Sequence, residues 1–260
     1  MNNEILIRSH EGGFFSCCSV RLHFLIEYFN HFKKLPLDYD TTGFYTWYKN
    51  DNTKDITFDY FNHYNTNNIK IEYKKYIDFK EYYQYKDFNK LDIKLLKPFI
   101  DKYYTPTDKI EEIKKTIENK YSIDYDNICV LFYRGNDKAT ELNLPSFDEY
   151  IDNANKILET NSNIKFLIQS DETNFINEMK INFPNHIIFN DEIRHIYKTN
   201  TTVDKVFKEY NNEYSSKFLA IILIMSKCKY IICSSGNCSL WIFLYKQNTK
   251  NMIELAYVDF

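Results

Sequence analysis

The chain has 260 residues and a formal net charge of −3, with 33 basic side chains interspersed among 36 acidic ones. No basic block or stripe is left for nucleic acid or an anionic membrane, so any cationic site must be local. No apolar run is long enough to span a bilayer, no cationic leader precedes an apolar core, and the six cysteines include no Cys-x-x-Cys pair, so a soluble, intracellular chain with reduced thiols and no metal site is expected.

In chain order, Glu4 to Arg8 predicts a short strand, followed by a Gly12-Gly13 loop and a helix from about Ser19 to Lys34. Val20, Phe24, Tyr28 and Phe32 recur there at four-residue intervals and give one apolar face. Pro36 stops the helix, and Leu35 to Tyr39 predicts a second, parallel strand. Backbone amides at Gly12-Gly13 and the helix start could approach an anion or a sugar; a tight turn needing positive φ accounts for two glycines equally well. From Thr41 to Tyr104 aromatic and charged residues alternate without a sustained period, and no site is assigned there. Pro98 and Pro106 bracket an expected domain junction near residue 105. Beyond it, Thr107 or Asp108 caps a helix carrying Ile110, Ile113 and Ile117 on one face.

The remaining pattern is regular. Ile128 to Tyr133 is an apolar strand that breaks abruptly into Arg134, Gly135, Asn136, Asp137 and Lys138. A helix from about Ser146 follows, striped by Phe147, Ile151, Ala154 and Ile157. Lys165 to Ser170 is the next strand, ending at Asp171-Glu172, and Phe175, Ile176, Met179 and Phe183 face the next helix inward. His186 to Asn190 is a third strand. A helical run from Tyr210 to Lys227, a strand Lys229 to Cys233, the turn Ser234-Ser-Gly-Asn-Cys-Ser239, a helix bearing Trp241 and a strand Met252 to Ala256 complete the chain. Strands alternating with helices of this length imply a parallel, doubly wound α/β sheet covered on both faces.

In such a sheet the carboxyl ends of the strands face the ligand crevice. Arg134 and Lys138 then stand where a charged ligand binds, the guanidinium able to hold two phosphate oxygens and the ammonium acting as a mobile point charge. Ser234 and Ser235, with Gly236 and Asn237 at a helix start, could serve a diphosphate. Asp171 and Glu172 could accept from a ribose or a base edge, and Glu141 could act as a general base. Each has a plainer alternative: an Arg134–Asp137 ion pair closing the turn, Asp171 and the serines as helix caps, Glu141 as a solvated loop carboxylate. A Walker loop, a dinucleotide fingerprint, His-Glu-x-x-His and Gly-x-Ser-x-Gly are all absent, which removes P-loop kinase, dehydrogenase, zinc-protease and hydrolase readings.

The stretch Phe132-Tyr-Arg-Gly-Asn-Asp-Lys138 resembles the hallmark Arg-x-x-Asp-Lys of the fucosyltransferases that use GDP-fucose, including the α-1,6-fucosyltransferases, the rhizobial Nod-factor enzymes and the protein O-fucosyltransferases. It matches at Arg134, Asp137 and Lys138 and departs at the His that often precedes. Asp171-Glu172, Ser234-Ser235 and the loop Glu11-Gly-Gly-Phe-Phe-Ser16 are similar to the family's acidic pair, Ser-rich turn and Gly-rich loop. The resemblance implies a GT-B-like α/β fold, two Rossmann-like domains facing a cleft, the first (residues 1–105) small, reduced and on the acceptor side, the second (residues 106–260) binding the nucleotide sugar. It implies an inverting, metal-independent transferase that needs no cofactor, with GDP-fucose as donor substrate and a glycan or glycoprotein hydroxyl as acceptor. Arg134 would hold the β-phosphate, with Asp137, Lys138, Asp171, Glu172, Ser234, Ser235, Gly236 and Asn237 around the donor. Gly12, Gly13 and Phe14 would line the cleft. Glu141 falls one residue short of the family's proposed base, and the run Phe218 to Met225 is apolar where those enzymes carry an acidic donor-binding residue. Another nucleotide sugar, or a catalytically silent nucleotide- or glycan-binding protein on the same fold, are the alternatives.

Overall fold

The computed structural model of the chain describes residues 5–258. Among them the strands form two parallel sheets. This is the parallel α/β organisation expected, and the first sheet has only β1 (Ile5–Ser9) and β2 (Asp38–Gly43), joined by helix α1 (Phe14–Phe32). Glu4, the expected first residue of β1, lies outside the described residues.

Helix α1 starts at Phe14, five residues ahead of the expected Ser19. Its first turn is buried on nearly every side, with Phe14, Phe15, Cys17, Cys18 and Ser19 all in the interior, so the one-sided apolar stripe does not reveal it. It ends where Lys33 turns left-handed at φ 59° and its N–H donates to the Phe29 carbonyl at 2.9 Å. The turn through Pro36 and exposed Leu37 delays β2 to Asp38, three residues later than expected, and Tyr39 then pairs with Leu6 in the core.

Between β2 and residue 92 the chain makes short 3-10 turns and the single-turn helix α2 (Thr57–Tyr60). Helix α3 (Ile93–Tyr103) contains Pro98. The proline has no N–H to offer the carbonyl of Lys94, an exposed residue one turn before it. Helix α4 (Asp108–Tyr121) follows, with Thr107 at its N-cap and Ile110 and Ile117 buried.

The second sheet has the order β5-β4-β3-β6-β7, all parallel. Its strands are β3 (Ile128–Tyr133), β4 (Lys165–Ser170), β5 (His186–Ile187), β6 (Tyr230–Ser234) and β7 (Met252–Leu255). β3 is central and buried at all six positions, as an unbroken apolar run must be when both faces are covered. β5 keeps only two of its five expected residues, because 188–193 fold into a turn in which the Ile193 N–H donates to the Phe189 carbonyl at 3.1 Å. β7 stops before Ala256, which is left-handed at φ 57°.

Helices α5 (Phe147–Thr160) and α6 (Thr173–Asn182) pack on each other and on β3 and β4, with Tyr133 stacked on Phe175 at 4.7 Å. After α7 (Val203–Val206), helices α8 (Asn211–Lys227) and α9 (Asn237–Lys246) pack together, and α9 also meets α1 and α3. Trp241 of α9 closes that junction: it is fully buried, its indole N–H donates to Ser19 Oγ at 3.0 Å, and its ring lies 4.5 Å from Tyr104. Truncating such a side chain costs about 3–5 kcal/mol. The order in which strands are added reverses between β3 and β6, the topological switch point where ligands of doubly wound sheets bind.

Candidate functional site

The switch point opens a cavity of about 300 Å³ bounded by the ends of β3 and β4, the turn after β6, the first turns of α1 and α9, and α8. That is the lower end of the range for small-molecule sites. Arg134 projects from the end of β3 and is held on three sides. Its Nε donates to Asp171 Oδ2 at 3.2 Å, one terminal nitrogen to Cys238 Sγ at 3.3 Å, and the other to Asp137 Oδ1 at 3.4 Å. Burial works against the charge, but Asp171, Cys238 and Asp137 outweigh it and raise the guanidinium's pKa above its ordinary value. Three of the five N–H groups are thus engaged, which leaves two for a ligand. Asp137 has its own pKa raised by burial, a rise that Arg134 only partly counters.

Lys138 is buried and reaches the same cavity from the turn after β3. Its ammonium donates to Glu141, to the Tyr85 hydroxyl at 3.2 Å and to Gln84 Oε1 at 3.3 Å. Burial alone would push the Glu141 carboxyl up; hydrogen bonds from Lys138 and Tyr85 outweigh it and hold the carboxyl below its usual range. The N-terminus of α9 lies beside Lys138, where Gly236 has φ 144°, a conformation that side chains other than hydrogen resist. Its amides are not free. The Gly236 N–H donates to the Gln84 carbonyl at 2.9 Å, and the Asn237 N–H to Gln84 Oε1 at 3.0 Å.

Gly12, Gly13 and Phe14 face these groups from the start of α1. Gly13 is the N-cap of α1, and the Phe14 N–H donates to Tyr48 Oη at 2.7 Å. Tyr48 donates in turn to Asp204 at 2.9 Å, and Asp204 accepts from Arg194 at 2.6 Å, so one hydrogen-bonded chain ties the start of α1 to the segment that precedes α8.

The cavity therefore gathers Gly12, Gly13, Phe14, Arg134, Asp137, Lys138, Glu141, Asp171, Gly236 and Asn237. Glu172, Ser234 and Ser235, expected around the donor, do not line it. The Ser234 hydroxyl accepts from the Arg134 N–H at 3.2 Å, and the Ser235 hydroxyl donates to Glu254 at 3.0 Å, so both are spent on holding strand ends together. Glu172 is turned under Gly135, where a Cβ would collide with its carboxylate, and burial raises its pKa. Asp171 is not the N-cap of α6; Glu172 stands there without a side-chain cap bond.

Gln84 and Tyr85 lie in the stretch to which no site was assigned, as do Tyr48 and its neighbour Trp47. They sit on short turns with no period to read. Arg194 and Asp204 fall between the elements expected from the sequence, but a signal exists for the arginine. Only four arginines, Arg8, Arg21, Arg134 and Arg194, occur among the 33 basic residues. Three of them are fixed by several partners, the use for which a planar fork surpasses lysine.

All six cysteines are buried free thiols. No helix among the described residues is long and apolar enough to cross a membrane, and no group of three or more His, Cys, Asp or Glu among them is arranged to hold a metal ion.

The sequence matches no protein-family model and no curated protein. Solved structures similar to the chain include the α-1,6-fucosyltransferase NodZ soaked with GDP-fucose, at 7% identity and a TM-score of 0.38. That likeness covers 59% of this chain and 47% of the other, so the chain spans about half of its length. They also include selenomethionine fucosyltransferase NodZ from Bradyrhizobium, at 9% identity and a TM-score of 0.47, covering 89% of this chain and 88% of that one. A mutant FUT1 of Arabidopsis thaliana in complex with GDP is similar at 10% identity and a TM-score of 0.47, covering 98% of this chain and 71% of that one.

Proposed function

We propose that the chain is an inverting, metal-independent glycosyltransferase that takes a nucleoside-diphosphate sugar as donor, with GDP-fucose the donor implied by the Arg-x-x-Asp-Lys resemblance and a glycan or glycoprotein hydroxyl as acceptor. The observation that carries this reading is Arg134, fixed by Asp171, Cys238 and Asp137 at the switch point with two N–H groups to spare and Lys138 beside it.

In the proposed reaction the acceptor oxygen attacks the anomeric carbon of the donor sugar from the side opposite the diphosphate. The new C–O bond forms as the bond to the β-phosphate oxygen breaks, and the hydroxyl proton passes to a carboxylate. Glu141 is the carboxylate proposed for that role; the hydrogen bonds from Lys138 and Tyr85 keep it ionised and ready to accept, and by lowering its pKa they also weaken it as a base. Arg134 and Lys138 meet the charge that builds on the departing diphosphate, and fixed donors aimed at developing charge are the largest single contribution in many enzymes. Residues 106–260 would hold the donor and residues 1–105 would present the acceptor through Gly12, Gly13 and Phe14.

One observation favours the alternatives of another nucleotide sugar or a silent binding protein. Helix α8 is apolar from Phe218 to Met225, with no acidic side chain to meet a base or ribose. Incubation with GDP-fucose and no acceptor tests the reading, because a transferase leaks its sugar to water. Release of free fucose and GDP that is lost in Arg134→Ala is expected. GDP binding without any release would leave a binding protein instead.

A further inference from the structure

We infer that Gln169 reads the hydrogen-bonding edge of the donor's nucleobase, which makes it a specificity-determining residue of the same cavity; the inference rests on the nucleotide-donor reading above. Gln169 lies at the end of β4, opposite Phe132 of β3 in the parallel register, and lines the cavity. It is only 4% exposed, and its Oε1 has no hydrogen-bond partner among the described residues. Buried amides are almost always paired, and an unpaired one is a cost to the ligand-free fold. A group kept in that state inside a cavity is explained by a partner that arrives with the ligand.

The same cavity holds Lys138 and Glu141, suited to a diphosphate and its reaction, and, with Gln169, the apolar and aromatic groups Phe132, Phe15 of α1, Phe218 of α8 and Ile193. Phe15 and Phe218 meet edge to face at 5.4 Å. Aromatic faces of this kind accept a flat ring, and the amide gives its edge a hydrogen-bonding partner. Two residues of strand, about 7 Å, separate Gln169 from Asp171, the carboxylate that holds Arg134. That interval leaves room for the ribose between phosphates and base. An amide presents an acceptor beside a donor, so it pairs with a base edge that presents a donor beside an acceptor.

The test is calorimetric titration of GDP and, separately, inorganic pyrophosphate into the unsubstituted protein, Gln169→Leu and the unbranched Gln169→Met. The GDP dissociation constant should rise about tenfold in both variants, the loss expected of one buried neutral hydrogen bond. Pyrophosphate affinity should stay unchanged, and the ligand-free melting temperature should be equal or higher, since the unpaired amide is gone. Unchanged GDP affinity, or a parallel loss of pyrophosphate affinity with a lower melting temperature, overturns the inference and leaves the donor site standing. Binding of neither ligand by the unsubstituted protein overturns the donor site itself, and this inference with it.

Discussion

Asp171 fixes Arg134 at two levels, accepting from the guanidinium Nε at 3.2 Å through one oxygen and from the following backbone N–H of Gly135 at 2.9 Å through the other. The carboxylate at the end of β4 thus sets both the direction of the side chain and the path of the turn that carries Asp137 and Lys138. A lysine at this position can keep a charge near Asp171 but cannot also reach Asp137 and Cys238 with a planar fork. Arg134→Lys is therefore expected to melt near the parent temperature while losing about 10²–10³ in turnover, on the order of 2.7–4 kcal/mol. Arg134→Ala should lose both turnover and stability, because it leaves Asp171 buried without its partner. Near-native turnover in the lysine variant would reduce Arg134 to a structural ion pair.

Gln84 occupies the place an anionic oxygen would take, its Oε1 lying 3.0 Å from the Asn237 amide and 3.3 Å from Lys138 Nζ. A diphosphate using those donors must displace it. Gln84→Ala should tighten pyrophosphate binding severalfold, and Gln84→Glu should weaken it by setting a like charge against the ligand. Weaker binding in the alanine variant would make Gln84 a scaffold of the site.

Burial pushes the Glu254 carboxyl up to about 8, against the Phe88 N–H and Ser235 hydroxyl that favour its ionised form. An unfolded glutamate titrates near roughly 4.3. Between those values the folded chain keeps a proton that the unfolded chain has released, so this group lowers stability as pH rises through the window and adds nothing further above about 8. Glu254→Gln retains an acceptor for Phe88 without titrating. Its melting temperature relative to the parent should climb from pH 5 to about pH 8 and then level; a constant difference would contradict the assignment.

Arg134 is legible in the sequence because an unbroken apolar strand must be buried on both faces, and the first charge after it marks the carboxyl end. The helices from Asp108 onward are legible for a similar reason, since a stripe such as Ile110 and Ile117 has one face to bury. The inward turn of Ser234 and Ser235 is not, since capping a helix, holding a strand end and binding a phosphate all use the same hydroxyl. Gln84 and Tyr85 are further out of reach. Their segment is held by bonds from distant residues, such as the Gly236 N–H to the Gln84 carbonyl and the Val258 N–H to the Tyr85 carbonyl, and no local pattern encodes such partners.

Charge on the departing diphosphate is met in this account by Arg134 and Lys138, two groups that chelators do not touch. GDP affinity and donor turnover should therefore be the same in EDTA as in Mg²⁺ or Mn²⁺. Loss in EDTA restored by either ion would point to a metal-dependent transferase.

The central claim is that the cavity at the β3–β6 switch point binds a nucleoside diphosphate. Thermal unfolding in the presence of GDP, UDP, CDP and ADP measures it most directly. A ligand that binds only the folded chain at about a hundred times its dissociation constant stabilises by about 2.7 kcal/mol, on the order of 5–10 °C for a chain of this size. Such a shift is expected with GDP ahead of the others, abolished by Arg134→Ala. A larger shift with UDP would keep the nucleotide site and discard fucose. No shift with any of the four, at millimolar concentration, would contradict the claim itself.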